Sequence, residues 1–150
     1  MGYQKNKIHR HTFLWELSNT AADSYVATGT VAIFSAPDKC LIRQVKAHVL
    51  TAVTGATSEI VGDGTDTNGY LEDGFAANAG VYPLYHQDSA TTFVGALQFD
   101  STAGVTDAAD VTIIPKMNYY ASADTIDFII GGTATAGKIR FYIDFEVLPA

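Results

Sequence analysis

Between Lys138 and Val147 the sequence alternates without a break. Ile139, Phe141, Ile143, Phe145 and Val147 occupy one parity; Lys138, Arg140, Tyr142, Asp144 and Glu146 occupy the other. Successive side chains of a β-strand point to opposite faces, whereas a helix repeats every 3.6 residues, so this segment is a half-buried strand. The residues before it follow the same rule. Ile126, Phe128 and Ile130 share a parity opposite Thr125 and Asp127, with Ile129 as the exception. The small-residue run Gly131-Gly132-Thr133-Ala134-Thr135-Ala136-Gly137 separates the two, which predicts an antiparallel hairpin over 124–148. With its turn centred between Thr133 and Ala134, Asp127 lies across from Arg140, and Phe128 across from Ile139.

The rest of the chain favours β-structure as well. Threonine, valine, isoleucine and aromatic residues are abundant, and no window carries a helical apolar period. The expected order begins with a polar basic arm over 1–10, then strands at 11–17, 25–34 and 41–53. Leu41, Val45, Ala47 and Val49 face inward on the third strand. A turn around Pro37 joins the second and third strands. One helical turn is expected within 71–79, and Pro83 demotes 81–85 to an edge. Further strands follow at 92–99 and 111–114. The predicted architecture is all-β: a single antiparallel β-sandwich over 11–150, jelly-roll-like, with about eight strands and a C-terminal hairpin.

A chain of 150 residues buries roughly two thirds of its unfolded surface, enough to fold without metal or disulfide. Cys40 is the only cysteine; it reads as a small buried apolar residue at a strand start, not a nucleophile. The net charge of −7 is unevenly spread. Residues 1–46 hold six bases and three acids, while 47–137 hold one base, Lys116, and eleven acids. That acidic middle argues against a nucleic-acid partner. No apolar run approaches a membrane span and no secretory segment opens the chain, so the expected product is made in the cytoplasm and has no membrane partner.

Residues 58–74 crowd five carboxylates and four glycines into seventeen positions. An EF-hand frame through Asp66, Asn68 and Gly69 puts Gly64 in the first place and Phe75 in the twelfth, where ligands are required, so it fails. The alternatives are an oxygen site on Asp63 and Asp66, or tight turns in which Asp and Asn bond their own backbone; turn chemistry favours the second. His9 and His11 share a strand face, but a metal needs a third ligand, and only His48 and His86 remain. Gly132 to Lys138 fits G-x-x-x-x-G-K, yet a strand follows where a phosphate loop needs Ser or Thr and then a helix. No nucleophile elbow is present. No catalytic residue and no cofactor is assigned.

Three segments carry a resemblance: E-I-V-G-D-G-T-D-T-N-G-Y-L at 59–71, G-V-Y-P-L-Y at 80–85, and Y-A-S-A-D-T-I-D-F-I-I-G-G-T-A-T-A-G-K-I-R-F-Y-I-D-F-E-V-L at 120–148. They resemble small virion proteins of tailed bacteriophages with sandwich or jelly-roll folds. The resemblance implies a non-enzymatic structural protein. Its implied role is capsid decoration (cementing) by a homotrimer bound between major capsid subunits on the virion surface. A neck or tail accessory, or a receptor- or carbohydrate-binding sandwich, is the alternative. Within that picture Lys5, Lys7 and Arg10 of the basic arm are expected to touch an acidic neighbour. Tyr82, Tyr85 and Tyr142 are expected to be exposed aromatics that fill interface pockets.

Overall fold

The computed structural model describes residues 7–17, 26–82, 95, 97–101 and 113–149, with backbone pairing alone for 99–101 and 113–115. In chain order the strands are β1 (Ile8–Glu16), β2 (Gly29–Ala36), β3 (Cys40–Gly62), β4 (Gly80–Tyr82), β5 (Phe99–Ser101), β6 (Ile113–Pro115), β7 (Asn118–Tyr120) and β8 (Asp124–Val147). A short 3-10 turn covers Phe75–Ala77. The fold is all-β and antiparallel, a curled sheet in the order β1-β8-β3-β4. β2 also pairs with β8 and β7 with β3, while β5 and β6 form a separate ribbon.

Two strands dominate. β3 has 23 residues and β8 has 24, and they pair along nearly their whole lengths, from Cys40↔Val147 to Gly62↔Asp127. β1 lies on the second half of β8 (Glu16↔Lys138 to Ile8↔Glu146) and β2 on the first half (Gly29↔Ile130 to Ala36↔Asp124). The ribbon folds over on itself. Phe128 and Phe141 are thirteen residues apart along β8, a span of ~40 Å in a straight strand. Their ring centroids are nevertheless 5.1 Å apart. The two halves of the ribbon therefore form two layers, with the core between them.

The bend lies where β3 loses regular register, between Val49 and Ser58, opposite residues 131–138 of β8. Gly55 there has φ +82 and Gly132 has φ +71, conformations that L side chains rarely adopt. A Cβ at Gly55 would also stand 2.6 Å from the carbonyl oxygen of Thr133. Thr54 and Thr135 join their hydroxyls across the bend at 3.1 Å.

Inside, Trp15 packs edge-on to Phe128 at 5.3 Å, and Phe34 lies 4.7 Å from Phe145. Phe75, carried in by the 3-10 turn, meets Phe128 and Phe141. The Trp15 indole N–H is buried with no acceptor among the described residues, which costs about 1–3 kcal/mol; the ring's packing outweighs this.

The C-terminal hairpin is not formed. Residues 124–147 run through as one strand. Asp127 pairs with Ala32 and Gly62, and Arg140 with Leu14 and His48, so these two side chains never meet across a turn. The glycines taken for a turn serve a bend instead. Leu41 is corrected too. A bulge between Ile42 and Gln44 shifts parity, so Ile42 is buried and Leu41 half-buried on the outer face. β1 begins at Ile8, inside the segment read as an arm, and β3 continues past Val53 to Gly62. Of the strand expected at 92–99, residues 97 and 98 form a turn and 92–94 and 96 lie outside the described residues. The connections on which a jelly-roll assignment depends fall within 83–94 and 102–112, also outside them.

The bend predicts a contrast between two glycines. Gly55→Ala is expected to lower stability by about 1–3 kcal/mol, from positive φ and the clash with Thr133. Gly64→Ala, with open space around its Cβ, should stay within about 0.5 kcal/mol of wild type. Urea unfolding of both variants checks this.

Candidate interaction surface

Two regions carry polar side chains in organised arrangements. The first is the loop after β3. Asp63 is buried, and its Oδ1 accepts the backbone N–H of Thr65 (2.9 Å) and of Asp66 (2.7 Å). Its Oδ2 accepts the Tyr120 hydroxyl at 2.6 Å. The hydroxyls of Tyr120 and Tyr70 lie 2.8 Å apart, and Asn118 Nδ2 donates to Tyr70. Gln98 Nε2 donates to the Tyr70 carbonyl while Gln98 Oε1 accepts the N–H of Val45. This chain of bonds ties the loop, β7 and residue 98 to the start of β3. The loop is tight: a Cβ at Gly62 would overlap the backbone of Asp66 and Thr67.

The loop is thus built by the turn chemistry that its acids and glycines predict. Asp63 spends both carboxylate oxygens on protein donors, and Asp66 contributes its carbonyl, which accepts from the N–H of Asp63 and of Gly69. Among the described residues, no group of three or more His, Cys, Asp or Glu side chains gathers as a metal site needs. His9 and His11 do share a face of β1, but their rings lie against Phe145 (5.4 Å) and Phe34 (5.2 Å) on the inner side. His48 stands on the outer parity of β3, opposite Arg140, and His86 lies outside the described residues. The Cys40 thiol is fully buried and burial pushes it up to about 11, so it is unreactive near neutrality. The G-x-x-x-x-G-K stretch is extended strand within β8. A cleft of about 310 Å³ between β1 and β2 is lined by His11, Phe13, Phe34 and their neighbours, and it is open and largely apolar.

The second region is the outer face of β1-β8-β3-β4. The ladder sets side chains in rows across it: Ile8, Glu146 and Leu41; Thr12, Tyr142 and Lys46; Leu14, Arg140, His48 and Val81. Three ion pairs lace the face. Arg10 Nε and Nη2 donate to the two carboxylate oxygens of Asp144 at 2.6 and 2.8 Å. Arg43 binds Glu146 at 2.7 Å, and Lys138 binds Glu16 at 2.9 Å. Arg10 also lies over the Tyr142 ring, 5.7 Å from its centroid. Its hydrogen bond to Asp144 raises its already high pKa. Lys46 and Arg140 have no ion-pair partner among the described residues.

These facts place the expected contact residues. Lys5 and Tyr85 lie outside the described residues. Lys7 is exposed, and Arg10 is exposed but bound within its own sheet. Tyr142 is half-buried beneath Arg10. Tyr82 is the correction: it is 5% exposed and packs against Phe75, with its hydroxyl donating to the Asn78 carbonyl. The residue of β4 that reaches solvent is Val81, 50% exposed, because an edge strand alternates like any other. Sequence reasoning missed the Lys46–Arg140 neighbourhood and the Tyr120–Asp63 bond. Residues 94 and 57 positions apart leave no local signal of contact.

No protein-family model matches the sequence, and no curated protein matches it. Among solved structures, the chain is similar over 98% of its length to a chain of the acidic stable capsid structure of Helicobacter pylori bacteriophage KHP30, covering 92% of that chain, with TM-score 0.53 and 13% identity. A chain of the cyanophage Pam1 capsid asymmetric unit is also similar, at TM-score 0.46 and 13% identity, over 99% of this chain and 89% of that one. At such identity the likeness to the KHP30 chain is a likeness of fold.

Two predictions follow from the loop. Tyr120→Phe strips Asp63 and Tyr70 of a buried partner and is expected to destabilise by about 1–3 kcal/mol; a double-mutant cycle with Asp63→Asn should show coupling of at least ~0.5 kcal/mol. Burial, and then the charge of Asp73, raises the pKa of Glu59 above its ordinary value. The folded chain thus holds that proton more tightly than the unfolded chain. Glu59 favours folding most below the ordinary Glu pKa of about 4.3, and this contribution is lost as pH rises through the raised value. Asp127, raised chiefly by burial, acts in the same direction. Glu59→Gln is expected to raise the melting temperature at about neutral pH and to flatten its dependence on pH upward from about 4.3, as read by calorimetry from about pH 4 to neutral.

Proposed function

We propose that this chain is a structural component of a bacteriophage virion that acts by binding other proteins and not by turnover. The observation that carries the reading is the end-to-end likeness of fold to a chain of the KHP30 capsid, over 98% of this chain and 92% of that one. The site chemistry is in keeping with it. The buried acid of the loop is committed to protein donors, the thiol is buried, and the organised surface is a broad strand-lined face whose rows mix apolar and charged side chains. Such a face offers contact area and register, which assembly requires.

In finer terms, the reading is a decoration protein on the capsid surface, bound between major capsid subunits and associating with copies of itself, as a homotrimer in the simplest arrangement. Its basic N-terminal residues reach toward an acidic neighbour, and the folded domain supplies the contact. An oxygen site on Asp63 and Asp66 has no place in this reading, since both carboxylate oxygens of Asp63 accept from protein donors.

Mass spectrometry of purified virions, with the purified chain then added to expanded shells lacking it, tests the proposal. Stoichiometric presence, with saturable binding and a higher shell-disruption temperature, is the expected result. Presence in the virion without re-addition to shells would overturn decoration and leave an internal structural role. Absence from virions would overturn the virion role itself.

A further inference from the structure

Five of the nine bases of this −7 chain share one face. Arg10, Arg43, Lys46, Lys138 and Arg140 all stand on the outer face of β1-β8-β3-β4, with only Glu16, Asp144 and Glu146 among them within the described residues. Each of those three acids is bound to one of the bases. The positive charge left over is therefore confined to Lys46 and Arg140. These two are diagonal neighbours on adjacent strands, since Lys46 faces Tyr142 and Arg140 lies two residues before it. Diagonal positions are roughly 7–8 Å apart, so two like charges share a small area, and the acid at the same spacing from Lys46, Asp144 on the other side of Tyr142, is already bound to Arg10. An incoming carboxylate relieves that repulsion. Beside them the face offers Val81 and Leu50, 50% and 36% exposed, which an occupant would cover.

The matching surface is on the same molecule, elsewhere. Asp66 and Glu72 lie in the loop after β3, partly or fully exposed, and neither has an ion-pair partner among the described residues. The loop that bears them is held rigid by the Asp63–Tyr120–Tyr70 bonds, so its charges are presented without much ordering cost. We propose that the Lys46–Arg140 patch docks the Asp66–Glu72 loop of a second copy of this chain. The two surfaces are different parts of the molecule, so the contact is head-to-tail. Repeated, it closes into a ring or extends as a lattice, according to the rotation between copies. It deepens the self-association in the proposed function and rests on that reading only for its biological setting.

Analytical ultracentrifugation of the full chain tests the contact. Wild type is expected to self-associate at low ionic strength and to weaken several-fold between about 50 and 500 mM salt, as screening shortens the reach of the charges. Lys46→Glu with Arg140→Glu should be monomeric, and so should Asp66→Lys with Glu72→Lys. An equimolar mixture of the two double variants should regain association, with the two variants alternating along the assembly, because each then supplies the complement of the other. Circular dichroism melting confirms that both variants fold. Wild type that stays monomeric at low salt, double variants that associate as wild type does, or a mixture that stays monomeric would each overturn the contact. A chain that fails this test yet still adds to capsid shells removes the contact and leaves the virion reading. Self-association through these residues, with absence from virions, does the reverse.

Discussion

The β3–β8 ladder carries the structure. Strands of 23 and 24 residues are paired from one end to the other, and each other element of the main sheet hydrogen-bonds to one of them. β1 and β2 lie end to end along one edge of β8, while β4 and β7 lie along the far edge of β3. A ladder this long cannot remain flat and still bury its apolar face, because a single sheet offers that face to water. Folding the ribbon across its middle solves the problem with the ribbon's own surface. Phe128 meets Phe141, and the side chains that β1 and β2 add meet each other's half, as in Trp15 against Phe128 and Phe34 against Phe145.

That solution concentrates conformational demand at one place. Positive φ in the bend falls on Gly55, Gly132 and Gly137, and most of the residues around them are alanine and threonine. It also makes most stabilising contacts non-local, which implies slow formation relative to helical proteins of the same length. The loop after β3 extends the same economy of means. A buried carboxylate, two tyrosine hydroxyls and a glutamine fasten a segment that has no long strand of its own. Burial of the tyrosine hydroxyls raises both pKa values well above the ordinary phenol range, so they remain neutral donors throughout the physiological range.

Folding the ribbon leaves one broad sheet face outside, and the register decides what lies on it. Cross-strand partners bring opposite charges together at Arg10–Asp144 and Glu16–Lys138, and the bulge turns Arg43 toward Glu146. Exposed pairs of this sort add little to stability and more to register. Their larger consequence is subtraction: with three acids committed, the face's remaining charge is positive in a molecule that is otherwise acidic. Such segregation lowers the repulsion that copies with uniform negative charge would feel for one another.

The sequence by itself determined the all-β class and the alternation within single strands. The alternation from Ile139 to Val147, the turn at Pro37, the single helical turn near Phe75 and the edge character of β4 were all legible, because each depends on neighbours within a few residues. The tight turns of the acidic loop were legible for the same reason. Tertiary structure alone decided which strands are partners. The glycines between Ile130 and Lys138 satisfy the local requirements of a hairpin turn and of a bend in a through-strand equally well. The choice fell to β3, whose backbone pairs with both halves of β8 and holds them in one line. Tyr82 was buried and Val81 exposed by the pairing of β4 with β3, and Lys46 was set beside Arg140 by a register 94 residues removed in sequence. Side-chain alternation is a property of one strand, whereas partnership is a property of two, and the second is written nowhere in either strand alone.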